Sequence, residues 1–277
     1  MNENKVSVII PTYQPQDYLW ECLDSMKNQT FPHDEFEVIL VLNGAREPFY
    51  MKIEKYIKDT LQGAVNIKLF YSELGNVSNA RNIGLDNASG EYVVFIDDDD
   101  YVSETYLSAL FSKASKEIIP ITLLQGFCDD NTLTEEDVRL YNSIKGKRYQ
   151  EHYLKGMAPY KTAIKYFSSP VMKMIHRTII SERRFNLNFK NGEDALFMFA
   201  ISDKMRYVDF ATEDAIYYRR HRKGSLENSG RGRVKKLSNA LRLVVAYSTI
   251  YFSSPFRYSL PFFLNRILAV FKGALIG

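Results

Sequence analysis

Two cysteines in 277 residues, Cys22 and Cys128, have no partner motif and no metal-ligand spacing. A disulfide scaffold and a zinc site are both excluded on that ground, and a reducing compartment is the expectation. Long apolar runs are missing too. Arg266 and Lys272 interrupt the C-terminal stretch before it reaches the roughly 20 residues that a transmembrane helix needs. The opening Met1-Asn2-Glu3-Asn4-Lys5 lacks the basic, apolar and small-residue succession of a signal peptide, so secretion is not expected. What remains is ordinary globular material, 45% apolar and 25% charged, with enough apolar side chains for a sizeable core. The net charge of +3 conceals a basic stretch: Arg219, Arg220, Arg222, Lys223, Arg231, Arg233, Lys235, Lys236 and Arg242 stand against Glu227 alone. Anionic partners are implied.

The first hundred residues alternate strand and helix. Val6 to Ile10 is a β-branched run bounded by Pro11, and Asp17 to Gln29 places Leu19, Cys22, Leu23 and Met26 at helical spacing. Glu37 to Leu42 predicts a second strand closed by Asn43-Gly44. Pro48 to Leu61 predicts a helix, Asn66 to Tyr71 a strand, and Val77 to Ala88 a helix. A further strand, Tyr92 to Ile96, runs into four carboxylates, Asp97, Asp98, Asp99 and Asp100. Strands this apolar, separated by single helices, predict a parallel sheet covered on both faces, with ligands at the carboxyl ends of the strands. Pro11-Thr12-Tyr13, Asn43-Gly44 and the acid run all lie at such ends. Four like charges in a row are tolerated where water or a cation compensates them, which points to a hard-metal site or a solvated turn. If the run is extended, Asp97 and Asp99 face one side and Asp98 and Asp100 the other.

Val6 to Tyr13, Tyr18-Leu19 through Cys22-Leu23-Asp24-Ser25, Gln29-Thr30, Asn79-Ala80-Arg81-Asn82-Ile83-Gly84-Leu85, Gly90-Glu91-Tyr92 and Phe95 to Asp100 together resemble the family-2 inverting glycosyltransferases of the GT-A fold. Phe185, Gly192-Glu193-Asp194 and Tyr218-Arg219 with His221 and Ser225 match later landmarks more loosely. The resemblance implies an α/β fold with a Rossmann-like, mostly parallel sheet and helices on both faces. It implies a nucleoside-diphosphate-sugar donor, with a UDP-sugar favoured, and Mg²⁺ or Mn²⁺ bridging the diphosphate. By the same match Asp97 belongs to the nucleoside side, Asp98 is its neighbour and Asp99 holds the metal, with His221 a second candidate for metal or diphosphate. Pro11, Thr12, Tyr13 and Asn43 would line the nucleoside pocket, Asn43 standing where the family often has an aspartate. Arg81 and Asn82 would contact the donor, or Arg81 would pair with a core acid such as Asp97. Asp194 becomes the base that takes the acceptor proton, with Glu193 beside it, or the two merely complement a helix dipole. The arginines near His221 fit a loop closing over the donor.

The acceptor implied is a saccharide or lipid-linked oligosaccharide in surface-polysaccharide assembly. Direct transfer to polyprenyl phosphate and a non-catalytic carbohydrate-binding protein are the alternatives, and no nucleic-acid partner is expected. A sugar-nucleotide-forming nucleotidyltransferase would need a glycine-rich basic loop where Pro11-Thr12-Tyr13-Gln14-Pro15 stands. Residues 1–225 are expected to form the catalytic domain, with 1–115 the nucleotide-sugar half and 116–225 the acceptor half. In the latter, Lys145-Gly146-Lys147-Arg148 reads as a solvated loop, Asp129-Asp130-Asn131 as a polar loop, and Tyr149, Tyr153, Tyr160, Tyr166 and Phe167 as core or as platforms for acceptor sugars. Residues 226–277 read as a basic, amphipathic helical appendage. Leu241, Val244, Val245, Ser248 and Phe252 share one face, and Phe263, Ile267, Leu268, Phe271 and Leu275 another, opposite Asn265, Arg266 and Lys272. Such a tail would hold the protein peripherally on the inner, cytoplasmic face of the membrane, or dock on the catalytic domain.

Overall fold

A computed structural model describes residues 5–129, 132–222 and 233–276. In chain order, β1 (Val6–Thr12), α1 (Tyr18–Lys27), β2 (Phe36–Asn43), α2 (Phe49–Tyr56), β3 (Ile67–Ser72), α3 (Val77–Asn87) and β4 (Tyr92–Phe95) build the first half. The strands pair in parallel in the order β3-β2-β1-β4, with Ile9 opposite both Ile39 and Phe95. Every residue of β1, β2 and β4 is buried, as continuous apolar strands in the middle of a covered sheet must be. The periodic face of α1, Leu19, Cys22, Leu23 and Met26, turns into the core.

The second half comprises β5 (Tyr101–Val102), α4 (Tyr106–Lys113), β6 (Ile118–Ile121), β7 (Leu123–Cys128), α5 (Glu135–Tyr153), β8 (Ala158–Pro159), β9 (Met174–His176), α6 (Arg177–Ile180), α7 (Glu193–Ala200), β10 (Tyr207–Phe210) and β11 (Ile216–His221). β9 returns to the first sheet antiparallel to β4, so that sheet is mixed at one edge. β10 lies between β6 and β8, and β11 between β7 and β5. Pairing of Tyr217 and Tyr218 with Val102 and Tyr101 carries the end of β11 to the acid run.

Lys145 to Arg148 is not a loop. It lies within α5, whose N-terminus is fixed by a capping box between Thr134 and Asp137. Tyr149, Tyr160 and Phe167 are core residues, and the Tyr149 hydroxyl donates to the Ala211 carbonyl at 2.5 Å. Tyr153 and Tyr166 are partly buried against the same core.

The C-terminal helices α8 (Arg233–Ser253) and α9 (Leu260–Ile276) pack on each other and on α7. Phe199 is the hub: its ring lies 5.3 Å from Tyr247, 5.3 Å from Tyr258 and 5.4 Å from Phe262. Phe262 reaches on to Phe167 at 6.3 Å. Phe263 and Ile267, expected in lipid, instead pack on the protein core, and Arg266, expected on the polar side, is buried over the Phe262 ring. Of the basic stretch, Lys223 and Arg231 lie outside the described residues, as do Ser225, Glu227, Asp130 and Asn131.

Candidate active site

The acid run does not continue β4 as an extended strand. The Asp100 amide donates to the Asp97 carbonyl at 3.1 Å, closing a turn, and the four side chains fan out to α3, to β1 and to the end of β11. Two-residue alternation therefore fails here. Asp97 accepts from Arg81 Nη2 of α3 at 2.8 Å. Asp98, expected to be a solvated neighbour, accepts from the Thr12 hydroxyl at the end of β1 at 2.5 Å. Asp99 accepts from Arg222 Nε at 2.8 Å, just beyond β11. Asp100 is buried and accepts from the Tyr217 hydroxyl at 2.6 Å and the Arg220 amide at 2.9 Å.

Tyr217 is the residue that the sequence did not single out, and Arg220, expected among the arginines of a loop closing over the donor, lies instead within β11. The Tyr217 hydroxyl also accepts from the Asp97 amide at 3.2 Å, and Arg220 Nε donates to the Asp99 carbonyl at 2.9 Å, so β11 is fastened to both ends of the turn. Arg220 further pairs with Glu21 of α1 at 2.5 Å and with Asp129. The only sequence signal for this was the basic run itself.

Arg81 joins the two halves of the site. Its side chain is 4% exposed; while Nη2 holds Asp97, Nη1 holds Asp194 at 2.7 Å. The guanidinium stands 5.4 Å over the Phe185 ring, which in turn stacks on Phe197 at 3.9 Å. Burial opposes the charge of Arg81, but Asp194 and Asp97 hold its pKa above the ordinary value. Asp194 is the second residue of α7, which follows Gly192, whose φ of +85° is a left-handed conformation that favours glycine. Burial pushes the Asp194 carboxyl up to about 7; Arg81 opposes that, and Glu193 and Asp97 add to it. Glu193 itself is buried in the first turn of α7. The segment leading to Asp194 is clamped by the C-terminal helices: Asn239 donates to the Asn191 carbonyl at 3.3 Å, and Arg242 to that of Asn188 at 3.1 Å.

The remaining expected residues sort by geometry. Pro11 is buried inside β1, opposite Val41, so it shapes the strand end. Tyr13 is 52% exposed, its ring lying over Gly44, where φ is +93° and a Cβ would meet the ring at 2.5 Å. Asn43 is buried and donates to the Thr12 carbonyl at 2.7 Å. Asn82 commits both ends of its amide to the Phe185 backbone, at 2.8 and 2.9 Å, and so holds the 185 segment rather than facing a ligand. His221 alternates to the other side of β11 from Arg220 and Arg222, its ring 4.9 Å from Tyr141 of α5, which turns it away from Asp99.

Among the described residues, no three His, Cys, Asp or Glu side chains are arranged to enclose a metal ion. The acid turn nevertheless suits a hard cation shared with a ligand. Burial, then the neighbouring Asp99, pushes Asp98 up to about 7, and burial with the neighbouring acids also raises Asp99 and Asp100. The turn is thus short of positive charge. Asp99 already takes one cation, the Arg222 guanidinium.

The model of the family described as "Glycosyl transferase family 2" matches residues 7–184. The chain belongs to that family. Among its curated relatives, the poly(ribitol-phosphate) beta-N-acetylglucosaminyltransferase TarS of Staphylococcus aureus is 27% identical over 250 residues, 87% of this chain and 40% of that protein. A GalNAc(5)-diNAcBac-PP-undecaprenol beta-1,3-glucosyltransferase of Campylobacter jejuni is 27% identical over 204 residues, 74% of this chain and 62% of its own length. The chain therefore spans well under half of TarS. The solved structure of S. aureus TarS 1-349 with UDP-GlcNAc superposes with a TM-score of 0.64 at 21% identity, covering 98% of this chain and 81% of that one. Mannosyltransferase PcManGT from Pyrobaculum calidifontis, in complex with GDP-Man and Mn²⁺, gives 0.63 at 16% identity, covering 99% and 71%. Both matches place this family-2 chain in the GT-A fold.

Proposed function

We propose that this chain is an inverting glycosyltransferase, moving a sugar from a nucleoside-diphosphate donor to a hydroxyl of a saccharide or lipid-linked acceptor at the inner face of the membrane, in surface-polysaccharide assembly. The observation that carries the reading is the Arg81 bridge. It sets Asp97, at the end of a nucleotide-binding strand, and Asp194, at the head of α7, on one guanidinium, so that donor and base belong to one site. The acceptor O–H gives its proton to Asp194 as its oxygen bonds to the anomeric carbon, and the bond from that carbon to the diphosphate oxygen breaks. A carboxyl raised to about 7 is suited to that service near neutral pH. Glu193 supports Asp194 by its negative charge.

Asp99 is the residue that would hold Mg²⁺ or Mn²⁺, through one carboxylate with diphosphate and water oxygens completing the set. The cation would neutralise the departing diphosphate. Asp97 would meet the ribose, and Thr12 and Tyr13 the nucleoside. Asn43 has its N–H₂ turned to Thr12, which leaves its carbonyl oxygen to accept an imide N–H; that supports a uridine donor. UDP-GlcNAc in the TarS structure supports the same choice.

Asp194→Asn keeps the shape of the base and cannot take the proton. Transfer should fall by about 10²–10⁴-fold, with donor affinity by calorimetry near that of the wild type. In the wild type, kcat/KM should fall as pH drops through about 7, because the base must be deprotonated to act. Normal turnover by Asp194→Asn would place the base elsewhere.

A further inference from the structure

The outer faces of α8 and α9 carry large apolar side chains at four-residue spacing although neither helix faces the core there. Leu241, Val245 and Phe252 of α8 are exposed, as are Leu264 and Leu268 of α9, and Phe256 between the helices is wholly so. The inner faces are occupied: Leu243, Tyr247, Phe262 and Phe263 belong to the core around Phe199. The hairpin is thus apolar on both sides, which for a helix means that something other than water covers the second side.

Charge indicates what covers it. No Asp or Glu occurs after Glu227, while Lys235 of α8, Lys272 of α9 and Arg257 between the two helices stand exposed. A second copy meeting this face would bring like charges together. An anionic lipid surface would not, and it takes apolar side chains into its interface beside its charged headgroups. Among the described residues no helix is long and apolar enough to cross a membrane, so the hairpin would lie in the plane of the surface.

We infer that the outer face of the α8–α9 hairpin seats this protein on an anionic membrane, with Leu241, Val245, Phe252, Phe256, Leu264 and Leu268 entering the lipid interface. The inference deepens the membrane side of the proposed function and stands apart from its transfer chemistry. Because α8 also clamps the segment before Asp194, the seated face and the base belong to one packed unit.

The experiment is co-sedimentation of the full chain with vesicles of phosphatidylglycerol and phosphatidylcholine, against phosphatidylcholine alone. Partition should be at least roughly tenfold stronger on the anionic vesicles, as three near-surface cations imply, and 1 M salt should release the protein only in part, because salt screens charge but not apolar burial. The double variant Leu264→Ser/Leu268→Ser alters exposed positions only, so it should keep the wild-type Tm and its transfer to a soluble acceptor while losing about a hundredfold or more in partition, the loss expected when two buried leucines are removed. Asp194→Asn should bind vesicles as the wild type does, which separates a failure of the catalytic reading from a failure of this one. Wild-type protein that stays in the supernatant, or a double variant that still sediments fully, would overturn the inference. So would a dimer in light scattering that the double variant dissociates, since the face would then be covered by a second copy.

Discussion

Arg81→Met keeps most of the side-chain length and removes the charge that Asp97 and Asp194 share. Breaking a fully buried ion pair costs about 3–5 kcal/mol, because the partner is left charged and unpaired. Here the cation is 4% exposed, but the carboxylates are 34% and 24% exposed and can recover some hydration. We therefore expect a loss of about 2–3 kcal/mol, which for a chain of this size lowers Tm by roughly 5–10 °C. The pH profile offers a second readout. Arg81 is what holds the Asp194 carboxyl down against burial, so without it the carboxyl rises above about 7 and the acid limb of kcat/KM moves to higher pH. Arg81→Lys should recover only part of both effects, since one ammonium cannot reach two carboxylates as a guanidinium fork does. Differential scanning fluorimetry and a pH–rate profile measure the two effects separately. An Arg81→Met protein with wild-type Tm and an unmoved acid limb would refute the bridge as the link between donor and base.

Three further outcomes follow from the same geometry. Asp99→Ala should abolish the Mn²⁺ dependence of UDP binding in calorimetry, whereas Asp98→Asn should weaken binding through the loosened Thr12 contact and leave that dependence in place. Arg222→Ala frees Asp99 of its internal cation, so Mn²⁺ without nucleotide should bind about fivefold more tightly, the equivalent of one partly exposed ion pair of ~1 kcal/mol; unchanged affinity would mean that Arg222 does not compete for that carboxylate. Phe262→Ala should cost about 3–5 kcal/mol as a buried aromatic while Phe256→Ala stays within about 0.5 kcal/mol, and chain cut after Ser238 should lose folding in a thermal melt because Phe199 is uncovered.

The first half of the fold was legible because its signals are local. Each of β1, β2 and β4 is an unbroken apolar run, each is followed by one amphipathic helix, and parallel order follows from that alternation. β9 was not legible: three residues, Met174 to His176, join the sheet antiparallel to β4 from a distant part of the chain, held by Arg177 to Glu91 and by His176 to Glu91 at 3.0 Å. α5 was missed although Thr134 and Asp137 form a readable capping box, because its surface is polar nearly all round and gives little periodic signal. The appendage was read as amphipathic, but a helix apolar on two sides presents the same spacing whichever side meets the protein. Only packing shows that Phe263 and Ile267 go inward and Leu264 and Leu268 outward.

Within the site, residue types were readable and directions were not. Alternation applies to extended backbone, and the first i to i+3 hydrogen bond, from Asp100 to Asp97, cancels it; each carboxylate then takes the nearest donor on whichever element faces it. That explains why Asp98 found Thr12 and why Asp100 became the anchor of β11. Arg81 illustrates the deeper limit. Its pairing with Asp97 spans 16 residues and was anticipated, while its pairing with Asp194 spans 113 and depends on where the 185 segment stacks. Asn82 and Phe185 set that position, through two hydrogen bonds and an aromatic stack on Phe197. Together they determine whether the strand-end Asp97 and the helix-borne Asp194 share one cation.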